Sequence, residues 1–275
     1  MTGLERIAEA FASAGADGRR AALMPYLMGG FPDLGGSLEI GQACARAGAD
    51  VLELGVPFSD PLADGPVIQT AGSAALRAGV TVNDVLELAE RLAAELPVVL
   101  MCYCNQILTR GLERFLDELL GRGVCGLIVP DLPLEEADAT LQACDQRGLA
   151  LVPLVAPNTP EDRLARIGPR ARGFIYAVSL TGTTGERASL AGTLPAMISR
   201  VAAHSSTPVA VGFGIGTGAQ AREAAEAGAD GVIVGSRLVR AASEADRPAA
   251  AVSALVHEFS AALSASGTPA GAASE

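Results

Sequence analysis

Three carboxylic acids, Glu53, Asp60 and Asp64, follow Asp50 within one short stretch, Asp50-Val-Leu-Glu-Leu-Gly-Val-Pro-Phe-Ser-Asp-Pro-Leu-Ala-Asp-Gly-Pro66. Glu53 is flanked by Leu52 and Leu54 in an apolar run, Val51 to Gly55, that reads as a strand. Asp60 and Asp64 follow on a loop of about ten residues, where strand-to-helix loops usually take two to six. Pro57, Pro61 and Pro66 stiffen that loop, and Pro66 suits the first position of a helix that continues with Val67. An acid in apolar surroundings, beside acids on a constrained loop, can have its pKa driven away from theirs. That separation is what proton donation and acceptance require. Each acid alone also fits a structural role, Glu53 as the partner of a buried Arg and the loop acids as turn or cap residues. The combination points to acid–base chemistry.

Composition removes several other chemistries. All twenty basic residues are Arg, and the chain has no Lys. Schiff-base catalysis, with a substrate carbonyl or with pyridoxal phosphate held by this chain, is therefore excluded. The two histidines, His204 and His257, fall in predicted helices away from strand ends. A Ser-His-Asp triad and a His-rich metal site are both poorly supported. Proton chemistry is left to Asp, Glu and Tyr. The five cysteines, Cys44, Cys102, Cys104, Cys125 and Cys144, are odd in number and scattered, so core thiols are expected rather than a disulfide framework. A net charge of −11 disfavours nucleic-acid binding. No apolar run approaches the roughly 18 residues of a membrane span. The first ten residues lack the basic start and apolar core of a signal peptide, so the chain reads as cytoplasmic.

The elements that must position these residues alternate along the chain. A helix over Leu4 to Ala14 precedes eight short apolar strands. They are predicted at Ala22–Gly29, Val51–Gly55, Val98–Cys102, Gly126–Val129, Leu149–Leu154, Gly173–Ala177, Pro208–Gly212 and Gly231–Gly235. Amphipathic helices follow each of them. Near-continuous apolar strands, each followed by a helix, predict a closed parallel (β/α)8 TIM barrel with an extra N-terminal helix. The barrel is expected to be a single domain over 1–263, with 264–275 a disordered, small-residue tail. An internal echo supports the repeat: Ala47-Gly-Ala-Asp-Val-Leu-Glu-Leu-Gly55 aligns with Ala227-Gly-Ala-Asp-Gly-Val-Ile-Val-Gly235. Glu53 stands where the second copy has Ile233. An acid at an apolar strand position costs stability unless it is paired or used.

In such a barrel the active site lies at the C-terminal strand ends. Gly212-Phe-Gly-Ile-Gly-Thr-Gly218 follows the seventh predicted strand and Gly235-Ser236 the eighth. Glycine-rich turns that open helices can hold an anion on backbone N–H groups. The same glycines also fit plain tight turns, and their joint occurrence after strands seven and eight favours phosphate. A Gly/Thr-rich segment after the sixth strand, Ser179 to Glu186, has the character of a lid. Tyr26, Met101, Ile128, Leu154, Tyr176 and Phe213 lie near strand ends and could line an apolar pocket or simply fill the core.

From Leu4 to Ala262 the chain resembles the tryptophan synthase α subunit family. Leu52 through Pro66 is close to a family signature. Pro25-Tyr26, Gly30-Phe-Pro-Asp33, Asn105, Asp131-Leu-Pro133, Pro157-Asn158, Gly182-Thr-Thr-Gly185, Gly212-Phe-Gly-Ile215 and Gly235-Ser236 also match. The resemblance implies cleavage of indole-3-glycerol phosphate to indole and glyceraldehyde 3-phosphate without metal or cofactor. It implies Glu53 as the acid/base and Asp64 as partner of the indole N–H. Tyr176, Tyr26, Phe213 and Thr184 would contact substrate, and Gly185, Gly214, Gly235 and Ser236 its phosphate. It implies a partner β subunit, in an α2β2 tetramer, that carries pyridoxal phosphate. The loop with Asp60 and the mouth near Asn105 and Asp131 would face that partner. One departure stands out: the family often has Ser after Gly-Phe-Gly-Ile, and this chain has Gly216-Thr217. Three other readings compete. The related ring-closing synthase relies on lysines, which this chain lacks. A stand-alone lyase would release free indole. A silent regulatory subunit would not need Glu53, Asp64 and Tyr176 intact.

Overall fold

The computed structural model describes residues 1–178, 190–212 and 214–264. Its strands are β1 (Ala22–Met28), β2 (Leu52–Gly55), β3 (Val98–Met101), β4 (Gly126–Ile128), β5 (Ala150–Val152), β6 (Leu154–Val155), β7 (Ile175–Val178), β8 (Val209–Gly212) and β9 (Gly231–Val234). The helices of the first half are α1 (Gly3–Ala16), α2 (Leu34–Arg46), α3 (Pro66–Arg77), α4 (Val82–Ala93), α5 (Cys104–Leu108) and α6 (Leu112–Gly121). Those of the second half are α7 (Asp138–Asp145), α8 (Glu161–Ile167), α9 (Leu190–Ala202), α10 (Gly218–Glu226), α11 (Ser236–Glu244) and α12 (Pro248–Leu263).

All strand pairings are parallel, in the order β5-β4-β3-β2-β1-β9-β8-β7-β6. The two end strands of that order, β5 and β6, are consecutive in the chain and separated only by Pro153. They are halves of the single fifth strand expected over Leu149–Leu154. Pro153 has no N–H to give to the ladder, so β5 pairs with β4 while β6 pairs with β7. The chain itself carries the ring across the break, and the architecture is the expected (β/α)8 barrel.

Other departures from expectation have local causes. The helix expected after the fourth strand begins only at Asp138, after turns. After the last strand there are two helices, with Pro248 opening the second at its first turn. The short helix α5 was not foreseen. Pro66 does open α3.

Two apolar layers hold the barrel. The outer one, including Leu54, Leu100, Phe115 and Phe259, fills the space between sheet and helices. The inner one, including Met24, Val99, Ile128, Phe174 and Ile233, fills the barrel itself. The helix α1 plugs one end. Its Ile7 is fully buried in the inner layer, Arg6 donates to the carbonyls of Gly123 (2.9 Å) and Ala93 (2.6 Å), and Phe11 packs on Phe174. A Cβ on Gly3 would collide with the Cys125 backbone, so Gly3 lets α1 seat this closely. With that end closed, the C-terminal strand ends are left as the mouth of the barrel.

The repeated Gly-Ala-Asp has a structural role. Asp50 accepts from Leu23 N–H of β1 (2.7 Å), and Asp230 accepts from Val209 N–H of β8 (2.8 Å). Asp50 is also paired with Arg19, and both side chains are nearly buried. Each aspartate thus ties the start of its own strand to that of a neighbour. Among the described residues, no helix is long and apolar enough to cross a membrane.

Candidate active site

Glu53 points into the barrel from β2, level with Tyr26 of β1 and Val99 of β3. It is 1% exposed, and neither carboxylate oxygen has a hydrogen-bond partner. Among the described residues no Arg pairs with it, so the structural role that suits an isolated buried Glu is not taken there. Burial, with a smaller push from the Asp64 charge, raises its pKa from 4.5 to about 8. A buried acid without a partner is a costly feature. Its position at a barrel mouth makes it a candidate for proton transfer.

Asp64 is half-buried at the end of the loop that leaves β2. Partial burial raises its pKa from 3.8 to about 6, and the nearby Tyr103 hydroxyl works in the opposite sense. Its backbone is held by Gln69 of α3, whose Nε2 donates to the Asp64 carbonyl (2.9 Å). Near neutral pH the two acids therefore differ in state: Glu53 is mostly protonated and Asp64 mostly ionised.

Tyr26 is buried and Tyr176 half-buried, and both face the two acids. Their phenols are pushed well above the usual tyrosine range by burial and then by the charges of Glu53 and Asp64. They stay protonated and can act as hydrogen-bond donors. Each ring needs a glycine beside it. A Cβ on Gly55 would collide with the Tyr26 hydroxyl, and one on Gly212 would lie 2.5 Å from Tyr176 Cε2. Met101 and Leu154 are half-buried against the inner layer and Ile128 is inside it, so they form apolar wall, with Met101 and Ile128 in register with Gly55, two residues beyond Glu53.

The third tyrosine, Tyr103, also belongs to the site and was not singled out from sequence. It is 2% exposed, stacks on Phe58 at 4.9 Å, and its hydroxyl accepts from Ala63 N–H at 3.1 Å. A signal was available. The chain has three tyrosines, each lies at or just past a strand, and Tyr had been left among the few groups able to move protons.

Beyond β8 and β9, Gly214 is exposed with a left-handed backbone (φ 55°), and Gly235 and Ser236 form the N-terminus of α11. The departure at Gly216-Thr217 has a local explanation. Gly216 N–H donates to Gln220 Oε1 (2.9 Å), and the Thr217 hydroxyl caps α10 by accepting from Gln220 N–H (3.3 Å). Thr217 is thus the N-cap of α10. Phe213, Thr184 and Gly185, with the lid segment Ser179 to Glu186, lie outside the described residues.

A cavity of about 420 Å³ lies elsewhere, against α7, α8 and the strand break at Pro153, lined by Leu132, Leu141, Leu154 and Ile167 among others. It contains neither Glu53 nor Asp64. Chemistry rather than cavity size locates the site. Among the described residues, no three His, Cys, Asp or Glu side chains are arranged to hold a metal ion. The five cysteines are free, four of them buried.

Fold and site together define a (β/α)8 barrel that carries two carboxyls of raised pKa, Glu53 on β2 and Asp64 on the loop that follows it. Residues 11–265 match the family profile described as tryptophan synthase alpha chain. The tryptophan synthase alpha chain of Prochlorococcus marinus is 51% identical over 223 residues, covering 80% of this chain and 81% of that protein. The one from Methanosarcina mazei is 47% identical over 226 residues, covering 82% and 83%. Among solved structures, Mycobacterium tuberculosis tryptophan synthase superposes with TM-score 0.87 at 41% identity, covering 94% of this chain and 98% of the other. The Legionella pneumophila alpha chain gives 0.83 at 35% identity, covering 94% and 97%. The chain belongs to the tryptophan synthase alpha chain family. It is a carbon–carbon lyase of tryptophan biosynthesis that cleaves indole-3-glycerol phosphate to indole and glyceraldehyde 3-phosphate. The alpha chain carries no cofactor and forms a complex with the beta subunit, which holds the pyridoxal phosphate.

Proposed function

We propose that Glu53 and Asp64 carry the cleavage as a retro-aldol reaction with divided labour. Protonated Glu53 gives its proton to indole C3, which turns the ring into an indolenine cation. Ionised Asp64 accepts a hydrogen bond from the indole N–H and balances the positive charge that develops there. Glu53, now a carboxylate, removes the proton of the glycerol hydroxyl next to the scissile bond. The hydroxyl becomes the aldehyde of glyceraldehyde 3-phosphate, the C–C electrons return to the ring, and indole leaves. Glu53 ends the cycle protonated, so the step is balanced in protons. The observation that carries this reading is the pair itself: a buried, unpartnered Glu53 beside a half-buried, loop-held Asp64, with their pKa values pushed to about 8 and about 6.

Tyr26, Tyr176, Phe213 and Thr184 would hold the substrate over the acids, and Gly185, Gly214, Gly235 and Ser236 its phosphate. The N-terminus of α11 supplies free N–H groups and a favourable dipole for that anion. The face with Asp60, Asn105 and Asp131, all exposed, is our choice for the beta subunit contact in an α2β2 assembly. We place the enzyme in the cytoplasm, a reading that its biosynthetic family supports. The barrel domain is taken to span 1–263, with 264–275 as a tail.

The test is indole release from indole-3-glycerol phosphate by the purified chain, with and without a beta subunit. Glu53→Gln and Asp64→Asn should each cut turnover at least 100-fold, within the span of general acid–base contributions, while leaving the fold intact. Near-full turnover in either variant would sink that assignment. Turnover that rises with the partner favours a regulated alpha subunit, and fast release alone favours a free-indole lyase.

A further inference from the structure

The loop from Val56 to Gly65 leaves the barrel wall and must bring Asp64 back over Glu53. Its two ends are held by one short element. At the near end, Gln106 Nε2 donates to the Pro57 carbonyl at 3.0 Å. At the far end, Ala63 N–H donates to the Tyr103 hydroxyl at 3.1 Å. The two holds are joined, because Tyr103 N–H donates to Gln106 Oε1 at 3.1 Å across the first turn of α5. Between them the Phe58 ring stacks on Tyr103 at 4.9 Å and 23°. The two Gln106 bonds are buried and the Ala63–Tyr103 bond is partly so, and an unmade hydrogen bond away from water is costly.

From this arrangement we infer that Tyr103 and Gln106 are positioning residues, which clamp the loop at both ends and so fix the Asp64 carboxyl against the substrate ring. The inference rests on the catalytic reading of Asp64 given above. The Tyr103 hydroxyl, which accepts from Ala63 N–H next to Asp64, also favours the ionised form of that carboxyl. The other titratable groups facing Asp64 are Glu53 on β2, Tyr26 on β1 and Tyr176 on β7, while Asp131 acts on Tyr103 itself. Burial and the nearby acids keep all three tyrosines protonated, so within the working range of pH the clamp does not titrate.

Two variants test the clamp. Tyr103→Phe keeps the stack on Phe58 and removes only the hydroxyl. Gln106→Met keeps the volume and removes both amide bonds. Neither side chain is assigned a substrate contact. Each should lower kcat about tenfold, the scale of leaving one buried polar group unpaired, with KM within about twofold. In Tyr103→Phe the acid limb of the pH–rate profile should also move to higher pH, because Asp64 loses the hydroxyl that favours its ionised form. Folding is checked by circular dichroism, and the second variant stands if the first fails to fold. Wild-type kcat in a folded variant, or a loss confined to KM, overturns the clamp. So does an acid limb that stays in place in Tyr103→Phe. If Asp64→Asn itself turns over normally, the catalytic reading fails instead. A dead Asp64→Asn beside an unaffected Tyr103→Phe and Gln106→Met leaves that reading standing and removes the clamp alone.

Discussion

Replacing Glu53 with Gln should abolish the chemistry and stabilise the fold, by an amount that depends on pH. Glu53 is buried without a partner, and its folded pKa is raised from 4.5 to about 8. Between those two values the native protein keeps a proton that the unfolded chain has released. The native state then binds more protons than the unfolded state, so stability falls as pH rises. The stability associated with protonated Glu53 is present in full below about pH 4.5 and is lost as pH climbs toward about 8. At about 1.36 kcal/mol per pH unit, the 2.5 units from 4.5 to neutrality give about 3 kcal/mol, and the full rise to about 8 gives about 5 kcal/mol. Gln has the shape of the protonated acid and does not titrate. The gap in unfolding free energy between Glu53→Gln and the wild type should therefore open from near zero at about pH 5 to about 3 kcal/mol at about pH 7. Urea unfolding of both proteins across that range measures it, because other groups titrate in both and cancel in the difference. A gap that stays constant with pH would falsify the raised pKa, whatever the variant does to turnover.

Three further expectations can be checked by steady-state kinetics. If protonated Glu53 and ionised Asp64 are the working pair, kcat/KM should be bell-shaped, rising through about 6 and falling through about 8; a profile flat over that interval would exclude the pair. Gly212→Ala places a Cβ 2.5 Å from the Tyr176 ring, which should raise KM and cost about 1–3 kcal/mol of stability as overpacking does; an unchanged KM would show that Tyr176 does not hold substrate. Gly216→Ser restores the residue common in the family, and its Cβ would have no neighbour nearer than Gln220 Oε1 at 3.7 Å. It should lower KM for the phosphorylated substrate while leaving kcat and thermal stability alone, and an unmoved KM would remove position 216 from the phosphate site.

The features legible in the sequence were those written within one strand–loop unit. Glu53 could be read because its strand has a second copy, and the copy has Ile233 where Glu53 stands; the structure puts both on the inward face of the barrel. Pro66 could be read because a proline fixes the start of a helix by its own geometry. The split of the fifth strand hinged on a single missing N–H at Pro153, a ladder effect that strand periodicity does not register. Tyr103 was harder still. Its role exists only because β2 and β3 are neighbours in register, Gly55 beside Met101, so that the turns leaving both strands meet above the sheet. A hydroxyl then reaches a backbone N–H forty residues earlier in the chain.

The same contrast explains how the site is built. Glu53 is set by a strand inside a packed barrel and needs no further support to stay in place. Asp64 sits on a loop that makes few hydrogen bonds of its own, and Ser59 and Asp60, bonded to each other, spend theirs locally. Its precision has to come from elsewhere, from Gln69 on one side and the α5 pair on the other. If the proton chemistry is divided as proposed between a rigid acid and a loop-borne one, it can be tuned through the loop. Changes at Tyr103 or Gln106 should alter the Asp64 limb of the pH profile or the rate while leaving the Glu53 limb in place, and that separation follows from which element carries each acid.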